Sequence, residues 1–211
     1  MRTWWLPISL LIVSGCQATS VSVRIDAVAD GSGQTSVEAF VTPGGGSPIP
    51  VTACNSSGCG PLSLSGSFIA DRYEVTLAGD VPDDPITVTA RGQVSTATLP
   101  QTFALSSPDG TTLKGNPVSL NLIWQPAQTA DMMRWSSAHT VCPASESSEL
   151  GGGPPQPASD DGAFSIPLSA IGQVSAGCTV DVGLQRVRRG MGADEIDGIQ
   201  ERHLIFTITA P

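Results

Sequence analysis

The chain has 211 residues, enough for one domain or two small ones. Its 23 Gly and 17 Pro exclude a helix-rich protein, and its 40% hydrophobic content excludes wholesale disorder. Acids outnumber bases 19 to 10, for a net charge of −9, which excludes a nucleic-acid binder because such a protein needs a basic face to displace counterions.

The first element is an address. Arg2 precedes an apolar run from Trp4 to Val13, broken only by Pro7 and Ser9. A bilayer-spanning helix takes about 20 apolar residues, so this shorter run behind a positive start reads as a secretory signal. The run closes with Val13-Ser14-Gly15-Cys16: an aliphatic residue, two small residues and a cysteine. That ending resembles the lipobox of bacterial lipoproteins. The resemblance covers the first sixteen residues. It implies cleavage before Cys16, a diacylglycerol on the Cys16 sulfur and an acyl chain on the new amine. Val13 stands where the family most often has Leu. Gln17 in place of Asp implies, by the same resemblance, delivery to the outer membrane where the cell has one. Several acyl chains, at about 0.8 kcal/mol per buried CH₂, make a stable anchor. The other reading of this segment is an ordinary signal peptide with a cysteine nearby.

An exported chain meets an oxidising compartment, where disulfides form. With Cys16 taken by lipid, Cys54, Cys59, Cys142 and Cys178 remain, and four cysteines allow three pairings. Cys54 and Cys59 flank Asn55-Ser56-Ser57-Gly58, a turn-forming tetrapeptide that sets them opposite each other across a hairpin. The expected pairs are therefore Cys54–Cys59 and Cys142–Cys178. The rival is a metal or redox site. It lacks C-x-x-C spacing, and only His139 and His203 could add imidazole ligands.

Along the chain the dominant period is two, the mark of half-buried strands. Val21, Val23, Ile25 and Ala27 alternate with polar residues, Asp30-Gly31-Ser32-Gly33 turns the chain, and Val37, Ala39 and Val41 resume. A Gly44-Gly45-Gly46 loop leads to Val51 and the cysteine hairpin. Tyr73, Val75 and Leu77 form another strand, and Ile86, Val88 and Ala90 the next. The first unit ends near Phe103 and Leu105. After the turn cluster Ser106 to Gly110, one face carries Val118, Leu120, Leu122 and Trp124. Residues 132–142 read as a strand or strand pair, and 143–162 as a loop rich in Ser, Gly, Pro and acids. Phe164, Ile166 and Leu168 follow. Cys178 is in phase with Val180, Val182 and Leu184, so its sulfur is expected to face the core. Leu204, Phe206 and Ile208 close the chain. Residues 127–135 and 168–175 could hold a helical turn or two.

Many short strands between turn signals predict an all-β protein: two tandem immunoglobulin-like antiparallel sandwiches after a cleaved signal. The expected division is a signal at 1–15, a lipidated tether at 16–20, one sandwich at 21–106 and a second at 107–211. The stretch Val118 to Pro126 resembles the second strand of fibronectin-like modules. The whole layout resembles lipoproteins of GC-rich bacteria with tandem immunoglobulin-like domains, a resemblance that implies no activity.

Catalytic motifs are sparse. No G-x-S-x-G pentapeptide provides a nucleophile elbow, and no glycine-rich phosphate loop occurs. His139 and His203 read as edge or surface histidines. Asp83-Asp84 and Asp160-Asp161 read as turns, in which Asp bonds its own backbone. Asp194, Glu195, Asp197 and Glu201 crowd one stretch. They lack the ligand order of a calcium loop, so the stretch reads as a solvated hairpin tip, paired with Arg186, Arg188 and Arg189 just before it. Trp124, Trp135 and Tyr73 fit core positions better than a glycan platform. The expectation is a non-catalytic, cofactor-free envelope protein, held to the membrane through Cys16. It would display the 143–162 and 190–201 loops to a protein partner. A glycan- or cation-binding module is the alternative, an enzyme the third reading.

Overall fold

The computed structural model describes residues 21–42, 48–67, 70–115, 117–143, 156–171 and 174–211. The signal, Cys16 with its tether, the Gly44-Gly45-Gly46 loop and most of the 143–162 stretch lie outside them.

The first half carries β1 (Ser22–Ala29), β2 (Gln34–Thr42), β3 (Val51–Asn55), β4 (Gly58–Pro61), β5 (Ser63–Ser67), β6 (Asp71–Ala78), β7 (Pro85–Ala90), β8 (Gln93–Thr98) and β9 (Ala104–Ser106). The second half carries β10 (Thr112–Lys114), β11 (Ser119–Gln125), β12 (Met132–Val141), β13 (Gln156–Ala158), β14 (Ala163–Pro167), β15 (Thr179–Arg189), β16 (Met191–Gly192) and β17 (Glu195–Thr209). Among the described residues the helical content is one 3₁₀ turn, Leu168–Ala170. Residues 127–135 hold no helical turn; they lead into β12.

The strands form where alternation predicts them. In β1, Val23, Ile25, Ala27 and Ala29 are buried while Ser22, Arg24, Asp26 and Val28 look the other way. The largest sheet has nine strands in the order β13-β12-β15-β17-β1-β2-β6-β5, with β10 also on β17. Two smaller sheets accompany it, β16-β8-β7-β3-β4 and β14-β11-β9. Ile25, Val37, Ala39 and Tyr73 of the large sheet share one core with Val51, Ala53, Ile86 and Val88 of the five-stranded sheet. Val180, Val182, Ala138 and Phe206 share a second with Leu120, Leu122 and Ile166 of the three-stranded sheet. Each Val, Leu or Ile among them, fully buried, contributes about 1.5–3 kcal/mol. The protein is thus all-β, with immunoglobulin-like sandwich packing, as its periodicity predicts.

The two sandwiches share their large sheet. β17 is fifteen residues long and serves both cores. Its first six residues pair in parallel with β1, from Arg24 opposite Glu195 to Ala29 opposite Gln200, and Ile196 enters the first core. Its far end supplies Phe206 to the second core and pairs with β10. The tip of the β15–β17 hairpin also pairs with the first unit, Met191 opposite Thr96 and Gly192 opposite Ser95. Three glycines permit this contact. A Cβ on Gly190, Gly192 or Gly198 would collide with Thr96, Ser95 or Thr98 of β8. Likewise β9 falls inside the expected first sandwich, 21–106, but pairs with β11, Leu105 opposite Trp124. By pairing, the change of unit falls ahead of Ala104. The chain then returns to the first sandwich at 191–200.

Candidate functional site

Both expected disulfides are present, Cys54–Cys59 and Cys142–Cys178. Cys54 and Cys59 sit opposite each other in the β3–β4 register. Asn55 holds the intervening turn: its Oδ1 accepts from the Ser57 and Gly58 amides at 3.0 and 3.1 Å. Cys142 directly follows β12 and Cys178 directly precedes β15, so their bond closes the end of a paired strand couple. Cys178 is fully buried, as its phase with Val180 and Val182 predicts.

The 190–201 stretch is not a free loop. Residues Ile196 to Gln200 are buried, because they form the strand between the two sandwiches. Its acids are already neutralised. Arg91 reaches Asp194 at 3.0 Å, and Arg189 reaches Glu195 at 2.8 Å and Asp197 at 3.6 Å. Of the three arginines expected to pair with this stretch, only Arg189 does so. Arg186 and Arg188 lie in phase with Val180, Val182 and Leu184 on the inward face, and they join other parts of the molecule.

Arg186 is fully buried over the Phe103 ring, 5.0 Å from its centroid. It donates to the carbonyls of Gln101 at 3.1 Å and Pro126 at 2.5 Å, and lies 3.4 Å from Asp160. Asp160, read from sequence as a turn residue, is the hub of this junction. It accepts from Trp124 Nε1 at 2.7 Å and from the Thr129 hydroxyl and amide at 2.6 and 2.7 Å. Burial opposes its charge, but these bonds, with Arg186 beside it, hold its carboxyl below the usual aspartate range. Arg188 makes a two-pronged pair with Asp131 at 2.7 and 3.0 Å and also bonds Asp83 of the first unit. The two arginines are therefore rivets between the sandwiches.

Polar side chains also converge around a groove on the outer face of the large sheet, where β17 outruns β1. A groove of about 370 Å³ is lined by Asp30, Ser32, Gln34, Ser36, Thr76, Glu201 and His203, over Val28. His203 Nδ1 is 3.0 Å from Asp181 and its Nε2 3.5 Å from Glu201. Glu201 in turn accepts from the Ser136 hydroxyl at 2.7 Å. The Glu201 carboxylate, with Asp181, raises the His203 pKa to about 9 in spite of partial burial. Burial works against ionised Glu201, but bonds from His203 and Ser136 outweigh it and keep its pKa below the ordinary glutamate value. At neutral pH the ring is an imidazolium, both nitrogens facing carboxylates. It has no lone pair with which to accept a proton, so Ser136 has no base in His203. The groove instead offers ionised carboxylates, hydroxyls and an amide: an array for hydrogen-bonding a small polar ligand.

His139 lies on β12 opposite Asp181 and outside the groove lining. Trp124 and Tyr73 are core residues, and the Tyr73 hydroxyl accepts from the Ile49 amide at 3.1 Å. The half-buried Trp135 bonds the Ser137 carbonyl at 2.6 Å. These three rings form no platform. Among the described residues, no three His, Cys, Asp or Glu side chains are grouped to hold a metal ion. No family model and no curated protein matches the chain.

Proposed function

We propose that this is a lipid-anchored protein of the bacterial cell envelope, in the outer membrane where the cell has one, whose role is non-catalytic. It displays a two-part immunoglobulin-like body to a protein partner or serves a structural role. The observation that carries this reading is the ending Val13-Ser14-Gly15-Cys16 behind a short apolar run. Two disulfides agree with export to an oxidising compartment. Strand β1 starts six residues after Cys16, which suits a body seated directly on an anchor. Replacing Cys16 by Ala tests the reading in the native host. Expected is movement of the protein from the membrane fraction to the soluble fraction, with the fold retained. Unchanged membrane association would reject it.

The Glu201–His203 groove supports a second reading, a module for a polar ligand such as a glycan. Titration with neutral oligosaccharides, followed by amide and imidazole chemical shifts, tests it. Shifts confined to residues 28–36, Thr76 and 201–203 would support it, and none at millimolar sugar would remove it. The divalent-cation version predicts a higher Tm in millimolar calcium by mass action. Arg91 and Arg189 already occupy the acids it would use.

A further inference from the structure

One end of the body is built unlike the rest of this acidic surface. Three elements meet there: the start of β1, the β7–β8 turn and the tip of the β15–β17 hairpin. A single guanidinium ties them, since Arg91 donates to the Val21 carbonyl at 3.2 Å and to Asp194 at 3.0 Å. The Ala193 amide donates to the Val94 carbonyl at 3.4 Å. Met191 pairs with Thr96, two residues along from Val94, so Met191 and Val94 share a face. Met191 is 83% exposed and Val94 53%, two bare apolar side chains on one face, and Val21, whose carbonyl Arg91 holds, is 38% exposed.

The charges at this end are layered. Arg24, Arg91 and Arg189 keep 50%, 33% and 64% of their side chains exposed. Their partners Asp26, Asp194 and Asp197 lie beneath, at 18%, 5% and 6%. Glu195 is the one well-exposed acid of the group. The three arginines and four acids of this group nearly cancel, but the arginines, Glu195 and the apolar side chains are the outermost of them.

The position of that corner says what it faces. Val21 lies five residues from Cys16, and five extended residues span at most about 17 Å. We propose, resting on lipidation of Cys16, that this corner docks on an anionic phospholipid surface. Met191 and Val94 enter the headgroup layer, and Arg24, Arg91 and Arg189 face lipid phosphates. β1 and β17 run in parallel away from the corner, so the long shared strand carries the second sandwich outward. Ile205 lies ten residues beyond Glu195, about 33 Å along the strand.

The test uses the full lipidated protein in vesicles of zwitterionic and anionic phospholipid with brominated acyl chains. Two exposed positions each receive a tryptophan, Met191→Trp and Ile205→Trp. Bromine quenches only rings that reach the acyl boundary. Expected is loss of most of the added emission of M191W, no loss for I205W, and weaker quenching of M191W when anionic lipid is omitted. Equal emission from the two variants, on protein whose intact mass shows acyl chains, would overturn the docking proposal and leave the anchor standing. Protein whose mass shows no acyl chain would overturn the anchor and the docking with it.

Discussion

Replacing His203 by Gln removes an imidazolium held between Asp181 and Glu201. The folded-state pKa is about 9 against an ordinary value of 6.5. Without solvent that difference would correspond to about 3 kcal/mol. The His203 side chain is 44% exposed, so screening brings the contribution down to about 1 kcal/mol. Its sign follows from linkage. A group with a raised folded pKa contributes fully below its unfolded value and loses the contribution as pH climbs through its folded value. Stability from His203 is therefore present below about pH 6.5 and is gone above about pH 9. The assay is urea unfolding of wild type and His203→Gln at about pH 6, 7.5 and 9.5, read as the difference between the two proteins. Wild type should exceed the variant by about 1 kcal/mol at the lowest pH, and the gap should close at the highest. A gap that stays constant with pH would refute the reasoning, because the folded protein would then not hold the ring charged.

Three further outcomes follow from the junction and the crosslinks. Arg186→Leu strips two carbonyls of their donor and Asp160 of its neighbouring cation, so unfolding free energy should fall by about 3 kcal/mol or more; a loss below about 1 kcal/mol in urea titration would contradict the buried pair. Gly198→Ala places a methyl against the Thr98 carbonyl, and calorimetry should show a loss of about 1–3 kcal/mol. A Tm equal to wild type would mean that β17 does not lie against β8. Removing Cys142–Cys178, with a sequence separation of 36, should cost about 4 kcal/mol. Removing Cys54–Cys59, with a separation of 5, should cost about 2 kcal/mol, and the reverse order would contradict the loop-entropy argument.

Strand faces were legible because a period of two reports which side of a sheet is buried. Leu120, Leu122 and Trp124 are buried as their alternation requires, but Val118, read as the first residue of that face, lies just ahead of β11 and is 87% exposed. Cys178 is too, and an even set of cysteines around a turn made the hairpin disulfide readable. Partner choice was not legible, since alternation says nothing about which strand lies alongside. The parallel β1–β17 pair joins residues about 170 positions apart in the chain, and no local pattern encodes that. The 190–201 stretch looked like a loop because it combines acids with glycines. The acids are there to meet Arg91 and Arg189, and the glycines to let the strand approach β8. Arg186 did carry a signal: it continues the inward phase of Val180, Val182 and Leu184, where an arginine needs buried partners. Glu201 and His203 share a face at i and i+2, but Asp30, Ser36 and Thr76 join them only through the sheet.

The most direct test of the envelope anchor is the intact mass of protein taken from its native membrane, before and after reduction. A chain beginning at Cys16, heavier by two or three acyl chains and gaining four hydrogens on reduction, is the result this account requires. An unacylated chain cut at another residue would contradict it and leave a soluble secreted protein in its place.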